Sequence, residues 1–264
     1  MNEALVICAT AHITAYYKNW KQNLKFNNDE YILCDVTNKG PLPTNVSLDF
    51  VQDNVINYTE QNVRTTLNFD KNASDKHWWN LGGGRSIIWF YPQFRMLYFY
   101  KLNPNYDYYW FFDDDVTFPK NQLQEFLDSY KGDTTDCSIT YLFSNLDNSN
   151  PSNVPFMCKP MFSFHGKEWN WLIHYPGFGD NQPEYVKEKY GSFFPIVRLS
   201  NRALKTLLEE HEKGYYGYGE GYVPTVLNYH NMSLHSFYNE QSKLVKNENI
   251  LIHHKDAVML WDNI

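Results

Sequence analysis

The sequence predicts an α/β fold built on one mixed, mainly parallel sheet flanked by helices, and three observations carry that expectation. Leu5-Val6-Ile7-Cys8-Ala9 is an apolar run without polar alternation, as a strand covered on both faces requires. Tyr31-Ile32-Leu33-Cys34-Asp35-Val36 is a second such run, reached through residues 13–24, where Tyr16, Tyr17 and Trp20 fall at helical spacing. Residues 106–112 form a third, strongly aromatic run that ends abruptly in Asp113-Asp114-Asp115. Strand, helix and strand joined by short links start a βαβ layout. Parallel strands gather ligands at their carboxyl ends, so Thr10, Ala11, His12 and Asp35 are expected on a ligand-facing edge.

The remaining elements follow in order. Residues 53–58 read as a short third strand. Gly82-Gly83-Gly84-Arg85 reads as a loop, and residues 86–102 as a long buried helix interrupted near Pro92. Pro119 opens a helix over residues 120–130. Residues 136–143 and 193–199 are strand-like, residues 145–155 a polar surface loop, and residues 177–191 a loop with a short helix. Ser200 is an N-cap for a helix over residues 201–212. Residues 214–221 read as a Gly- and Tyr-rich loop, residues 222–229 as a helix, and residues 234–238 and 250–254 as late strands. No internal repeat or linker divides the chain, so residues 1–264 are expected to form a single domain.

Composition excludes several function classes. A net charge of −7 offers no broad basic surface for nucleic acid. Cys8, Cys34, Cys137 and Cys158 form no CxxC pair and lack zinc-ligand spacing, so buried free thiols in a reducing compartment are expected. The first ten residues lack the basic and apolar regions of a signal peptide, and no window reaches the roughly 20 apolar residues of a spanning helix. A cytoplasmic protein is expected, with peripheral attachment to a membrane or partner left open. The Gly82–Arg85 loop lacks the Lys and Ser/Thr of a P-loop. Aromatic residues make up 18% of the chain. Trp169, Trp171, Tyr215 and Tyr218 suit stacking on a sugar ring, although core packing is the default role of each.

The acidic triplet is the sharpest signal. Two carboxylates roughly 6 Å apart at an effective dielectric near 20 repel by about 3 kcal/mol. A divalent cation reverses that sign, and hard oxygen ligands suit Mn²⁺ or Mg²⁺. In an extended segment Asp113 and Asp115 share one side and Asp114 takes the other. If the chain turns after Phe112, Asp114 joins the site instead.

A hydrophobic strand followed by Asp113-Asp114-Asp115-Val116 resembles the D-x-D region of GT-A glycosyltransferases. The resemblance implies a GT-A-like, Rossmann-related domain, with residues 1–118 as the nucleotide-sugar half and 119–264 as the acceptor half. It implies Mn²⁺ or Mg²⁺ held by Asp113 and Asp115, bridging the diphosphate of a nucleoside-diphosphate sugar, with a UDP-sugar favoured. It further implies a late metal-binding histidine, for which His253 and His254 in Ile252-His253-His254-Lys255 are the candidates. Thr10, Ala11, His12, Asp35, Arg85, Asp113, Asp114 and Lys255 are the candidate donor-binding residues. Arg85 and Arg95 suit either the diphosphate or structural ion pairs.

An inverting transfer needs a base to take the acceptor's proton. Glu220, in Gly217-Tyr218-Gly219-Glu220-Gly221-Tyr222, matches the acid that such enzymes carry after the acceptor loop, and Asp180 is the reserve. The expected activity is hexosyltransferase-like, with a glycan or glycolipid acceptor, in a setting such as polysaccharide biosynthesis. Two rivals stand beside it. A nucleotidyltransferase should carry a Gly-rich basic loop after the first strand, and Thr10-Ala11-His12-Ile13 is neither. A non-catalytic carbohydrate-binding protein accounts for the aromatics but not for the acidic triplet.

Overall fold

The computed structural model describes residues 1–10, 29–37, 54–68, 92–113, 116–117, 122–144, 190–215, 219–237 and 252–253. A seven-stranded sheet organises them. Its first strands are β1 (Glu3–Thr10), β2 (Asp29–Asp35) and β3 (Val55–Tyr58). These are followed by helix α1 (Glu60–Thr66), helix α2 (Pro92–Leu102) and strand β4 (Tyr108–Asp113). A short strand β5 (Val116–Thr117), helix α3 (Gln122–Ser129), and strands β6 (Cys137–Ser144) and β7 (Tyr190–Ser200) come next. Helices α4 (Asn201–Glu212) and α5 (Gly219–Tyr229) and strands β8 (Leu234–Ser236) and β9 (Ile252–His253) complete the described order.

The sheet runs β3-β2-β1-β4-β7-β6-β8. β1 is parallel to β2 and β4, β2 to β3, and β6 to β8, while β7 is antiparallel to both its neighbours. This is the mixed, mainly parallel sheet flanked by helices that the sequence predicts. The sheet draws strands from both halves of the chain.

Alternation along the strands divides the core into two layers. Val6, Cys8, Leu33, Tyr109, Phe111 and Val197 pack with α1, α2, α4 and α5 on one face. Leu5, Ile7, Ile32, Trp110, Phe112 and Ile196 pack with α3 and Phe237 on the other. A strand covered on both faces has no position for a polar side chain, which is why β4 reads Tyr-Tyr-Trp-Phe-Phe until its last residue. α2 is likewise buried nearly all round, through Phe94, Met96, Leu97, Tyr98, Phe99 and Tyr100.

Pro195 marks the one irregularity of the central strands. The β4–β7 ladder ends at Phe112↔Ile196, next to a proline that has no N–H to donate. Opposite it, the β6–β7 register shifts between Ile139 and Tyr141. The Thr140 hydroxyl repairs the gap, accepting from the Ile196 N–H and donating to the Ile196 carbonyl, both at 3.1 Å. β7 therefore continues past the end of β4 and carries Ser192 roughly 13 Å beyond Ile196 at about 3.3 Å per residue.

The amino-terminal edge of the sheet is closed by ion pairs. Arg198 is fully buried, bonds Glu3 at 2.8 Å and lies 3.6 Å over the Tyr108 ring. The second Glu3 oxygen accepts from the Trp110 indole at 3.0 Å. Asp136 accepts from Arg202, Ser200 and Ser233, joining β6 to α4 and β8. Burial pushes its carboxyl up, and these bonds outweigh burial, leaving its pKa below the usual value.

Cys8, Cys34 and Cys137 are buried, as expected, and Cys158 lies outside the described residues. The sequence reading needs two corrections. Residues 219–221 are not loop but the first turn of α5, because Gly219 packs tightly enough on α2 to start the helix early. α1, which hydropathy did not suggest, is set by a capping box between Thr59 and Asn62. Among the described residues, no helix is long and apolar enough to cross a membrane.

His211 supplies a pH-dependent element of stability. Its ring is buried against Phe94, and one ring nitrogen lies 3.0 Å from the Leu67 carbonyl. Burial lowers its pKa from 6.5, the Leu67 contact opposes the shift, and Lys101 adds to it. The unfolded chain thus binds this proton more readily. Stability is full above pH 6.5 and falls as pH drops from there toward the lowered folded value. We expect the unfolding free energy from urea denaturation to decline below pH 6.5, by at most about 1.4 kcal/mol per pH unit for one proton, and His211→Gln to flatten that decline.

Candidate active site

The strand order places the candidate site. From β1 the chain moves outward to β2 and β3, then returns to the other side of β1 for β4. The carboxyl ends of β1 and β4 therefore flank the point where the order reverses. In open α/β sheets, ligands bind outside the carboxyl ends of the strands at such a reversal. Thr10 ends β1, Asp35 ends β2, Tyr58 ends β3 and Asp113 ends β4. Register brings Thr10 beside Asp35 and Cys8 beside Asp113.

Asp113 continues the alternation of Tyr109 and Phe111, toward α2. There it forms an ion pair with Arg95, in the first turns of that helix. Burial disfavours the Arg95 guanidinium, but Cys8, Asp113 and Tyr58 favour it more strongly and raise its pKa. Burial in turn pushes the Tyr58 phenol well above its ordinary range, against the pull of Arg95, so it stays neutral. Of the two roles open to Arg95, a structural ion pair is the one observed. Asp35 is also engaged: one carboxylate oxygen accepts from the Thr37 N–H at 2.9 Å and its hydroxyl at 2.5 Å. Thr37 in turn accepts from the Glu60 N–H at 2.9 Å, tying the end of β2 to α1.

His253 is carried to the same end of the molecule by a separate ladder. β5 and β9 pair antiparallel, with Val116 opposite His253. Val116 is the residue after the acidic triplet, so the backbone of the late histidine lies beside the exit of β4. Glu220 lies in the first turn of α5 and is buried. α5 abuts the start of α2: a Cβ on Gly219 would meet Oε1 of Gln93 at 2.5 Å and Cγ of Pro92 at 2.8 Å. The first turns of α2 thus touch Asp113 through Arg95 and the neighbour of Glu220 through Pro92.

Thr10, Asp35, Asp113 and the His253 backbone are therefore gathered at one sheet edge, and Glu220 is linked to them through α2. Ala11, His12, Arg85, Asp114, Asp115, Asp180, His254 and Lys255 lie outside the described residues. Among the described residues, no three His, Cys, Asp or Glu side chains cluster as a metal site. Tyr215 packs against the core, and its carbonyl accepts from the Tyr222 hydroxyl at 2.8 Å. Tyr58, Gln93 and Ser192, which the sequence reading did not single out, pack against Arg95, Gly219 and the Glu220 carbonyl respectively.

No family model matches the chain, and no curated protein does. Solved structures align with much of its length at low identity. Mouse xyloside xylosyltransferase 1 aligns over 89% of this chain and 85% of its own, with 13% identity and a TM-score of 0.44. A CMP:2-keto-3-deoxy-manno-octonic acid synthetase complexed with CTP aligns over 90% and 89%, with 8% identity and a TM-score of 0.40. The Aspergillus fumigatus core-mannan synthase A, in its Mn/GDP form, aligns over 90% and 73%, with 10% identity and a TM-score of 0.38. The chemistry of the site is read from the chain's own residues.

The Arg95–Asp113 pair fixes where the acidic segment leaves β4. A double-mutant cycle of Arg95→Met and Asp113→Asn, read by urea denaturation, should return a coupling of roughly 0.5–3 kcal/mol. A coupling of zero would mean that the pair does not anchor the strand exit.

Proposed function

We propose that this chain is a metal-dependent glycosyltransferase that moves a sugar from a nucleoside-diphosphate sugar, with a UDP-sugar favoured, to a hydroxyl of a glycan or glycolipid. The observation that carries the reading is the exit of a fully buried strand into three acids at the strand-order reversal, with the His253 backbone in register beside it.

The donor set suits a hard divalent ion. Carboxylates leave β4, and the β5–β9 ladder brings a histidine segment to the residue that follows them. Asp113, Asp115 and His253 or His254 would hold Mn²⁺ or Mg²⁺, which supplies charge stabilisation to the departing diphosphate. Arg95 keeps Asp113 in a fixed orientation and offsets its charge, so the acidic segment does not splay by self-repulsion. Thr10 and Asp35, at the carboxyl ends of β1 and β2, would lie on the donor side, with Arg85 and Lys255 as phosphate partners.

Glu220 is the base in this reading. Its carboxylate takes the acceptor hydroxyl's proton, and the oxygen attacks the anomeric carbon. The carbon–oxygen bond to the diphosphate breaks, the nucleoside diphosphate leaves, and the anomeric configuration inverts. The burial of Glu220 beside α2 suits a group that must stay unsolvated until the acceptor arrives. Asp180 is the alternative base.

Calorimetric titration with UDP and GDP, with and without Mn²⁺, tests the donor side. We expect metal-dependent binding of one nucleotide by the wild type and its loss in Asp115→Ala. Absence of binding by every nucleoside phosphate tried, with metal present, would overturn the reading. Glu220→Gln should keep that affinity and lose turnover by about 100-fold or more, and full turnover would remove Glu220 from the mechanism. Release of nucleoside diphosphate marks sugar transfer, whereas release of pyrophosphate would mark nucleotidyl transfer.

A further inference from the structure

Pro224 lies inside α5 and has no N–H. In an α-helix that missing donor would bond the carbonyl four residues earlier, which belongs to Glu220. Ser192 takes its place. Its hydroxyl donates to the Glu220 carbonyl at 2.7 Å from a fully buried position on β7.

The residue before Glu220 is equally constrained. A Cβ on Gly219 would lie 2.8 and 2.9 Å from Cγ and Cδ of Pro92, and 2.5 Å from Oε1 of Gln93. The Gln93 side chain can swing aside, but the Pro92 ring is part of the backbone at the head of α2. α5 is also tied to the start of β7. There the Thr225 hydroxyl accepts from the Tyr190 N–H at 3.0 Å and donates to the Tyr190 carbonyl at 3.3 Å.

We infer that Ser192, Gly219 and Pro224 are positioning residues that fix the Glu220 backbone between β7 and α2, and so set its place relative to Asp113. The inference rests on Glu220 being the base. The arrangement is more than a stabilising contact, because a helix without Pro224 would satisfy the Glu220 carbonyl by itself. The proline makes the first turn depend on β7. The turn is thereby referenced to the sheet that also carries Asp113, and α2 completes the frame by touching Gly219 and Asp113 from one turn of helix.

The two substitutions can be separated. Ser192→Ala leaves the carbonyl without its donor, and Pro224→Ala restores a donor within the helix. We expect Ser192→Ala to lower Tm and to lower kcat roughly tenfold or more, as a small misplacement of a reacting group does. The metal-dependent nucleotide affinity should stay within about twofold of wild type. In Ser192→Ala/Pro224→Ala we expect Tm to recover and kcat to stay low. Gly219→Ala should lower kcat in the same way, and Pro92→Ala in that background should return it.

Recovery of both Tm and kcat in the Ser192→Ala/Pro224→Ala variant would overturn the inference and leave Ser192 a stabilising donor only. Wild-type kcat in Ser192→Ala would overturn it as well. Hydrogen exchange of the first turn of α5 gives a readout independent of turnover. Faster exchange in Ser192→Ala and Gly219→Ala supports the pinning, and unchanged exchange overturns it. Equal turnover by the wild type and Glu220→Gln would instead overturn the base assignment, while the exchange measurement still decides whether the turn is pinned.

Discussion

The double-sided burial of β4 is the constraint on which the rest depends. With β1 and β7 beside it and helices over both faces, the strand excludes polar side chains along its length. Polar chemistry can begin only where the strand ends. Pro195 fixes that point by stopping the β7 ladder at Ile196, one residue short of Asp113. The reversal of strand order falls at that same end of the sheet.

The two edges of the sheet have different electrostatic roles. At the amino-terminal edge, Arg198, Glu3, Asp136 and Arg202 pair with one another and with ring faces and hydroxyls, tying strands to helices. At the carboxyl edge the acids outnumber their partners in the sequence, and Arg95 is the cation that meets Asp113 from within the core. Desolvation makes such a pair costly to break from one side, which suits an anchor for an acidic strand exit.

Much of the fold was legible because its signals are local. The runs at residues 5–9 and 31–36 declared buried parallel strands, and Ser200 capped α4 with a bond from the Ala203 N–H at 3.0 Å. α5 was legible only in part. Three glycines around Glu220 argued for a loop on intrinsic propensity, whereas Gly219 is there because a side chain would strike Pro92. Local preference and tertiary packing favour the same residue for opposite reasons, so sequence alone could not tell them apart. Pro224, inside the expected helix, likewise has a tertiary role, because the Glu220 carbonyl accepts from Ser192 instead.

The sequence by itself determined that three acids sit at the end of a buried aromatic strand, because periodicity and hydropathy are properties of adjacent residues. It also offered His253, His254 and Glu220 as candidates for the site. Only the tertiary structure decided that β4 stands next to β1, that β9 pairs its His253 with Val116, and that Arg95 rather than a surface cation meets Asp113. Those relations join positions far apart in the chain. They are settled by which buried faces can cover one another and by where a proline or glycine lets two backbones meet, and no local pattern encodes that choice.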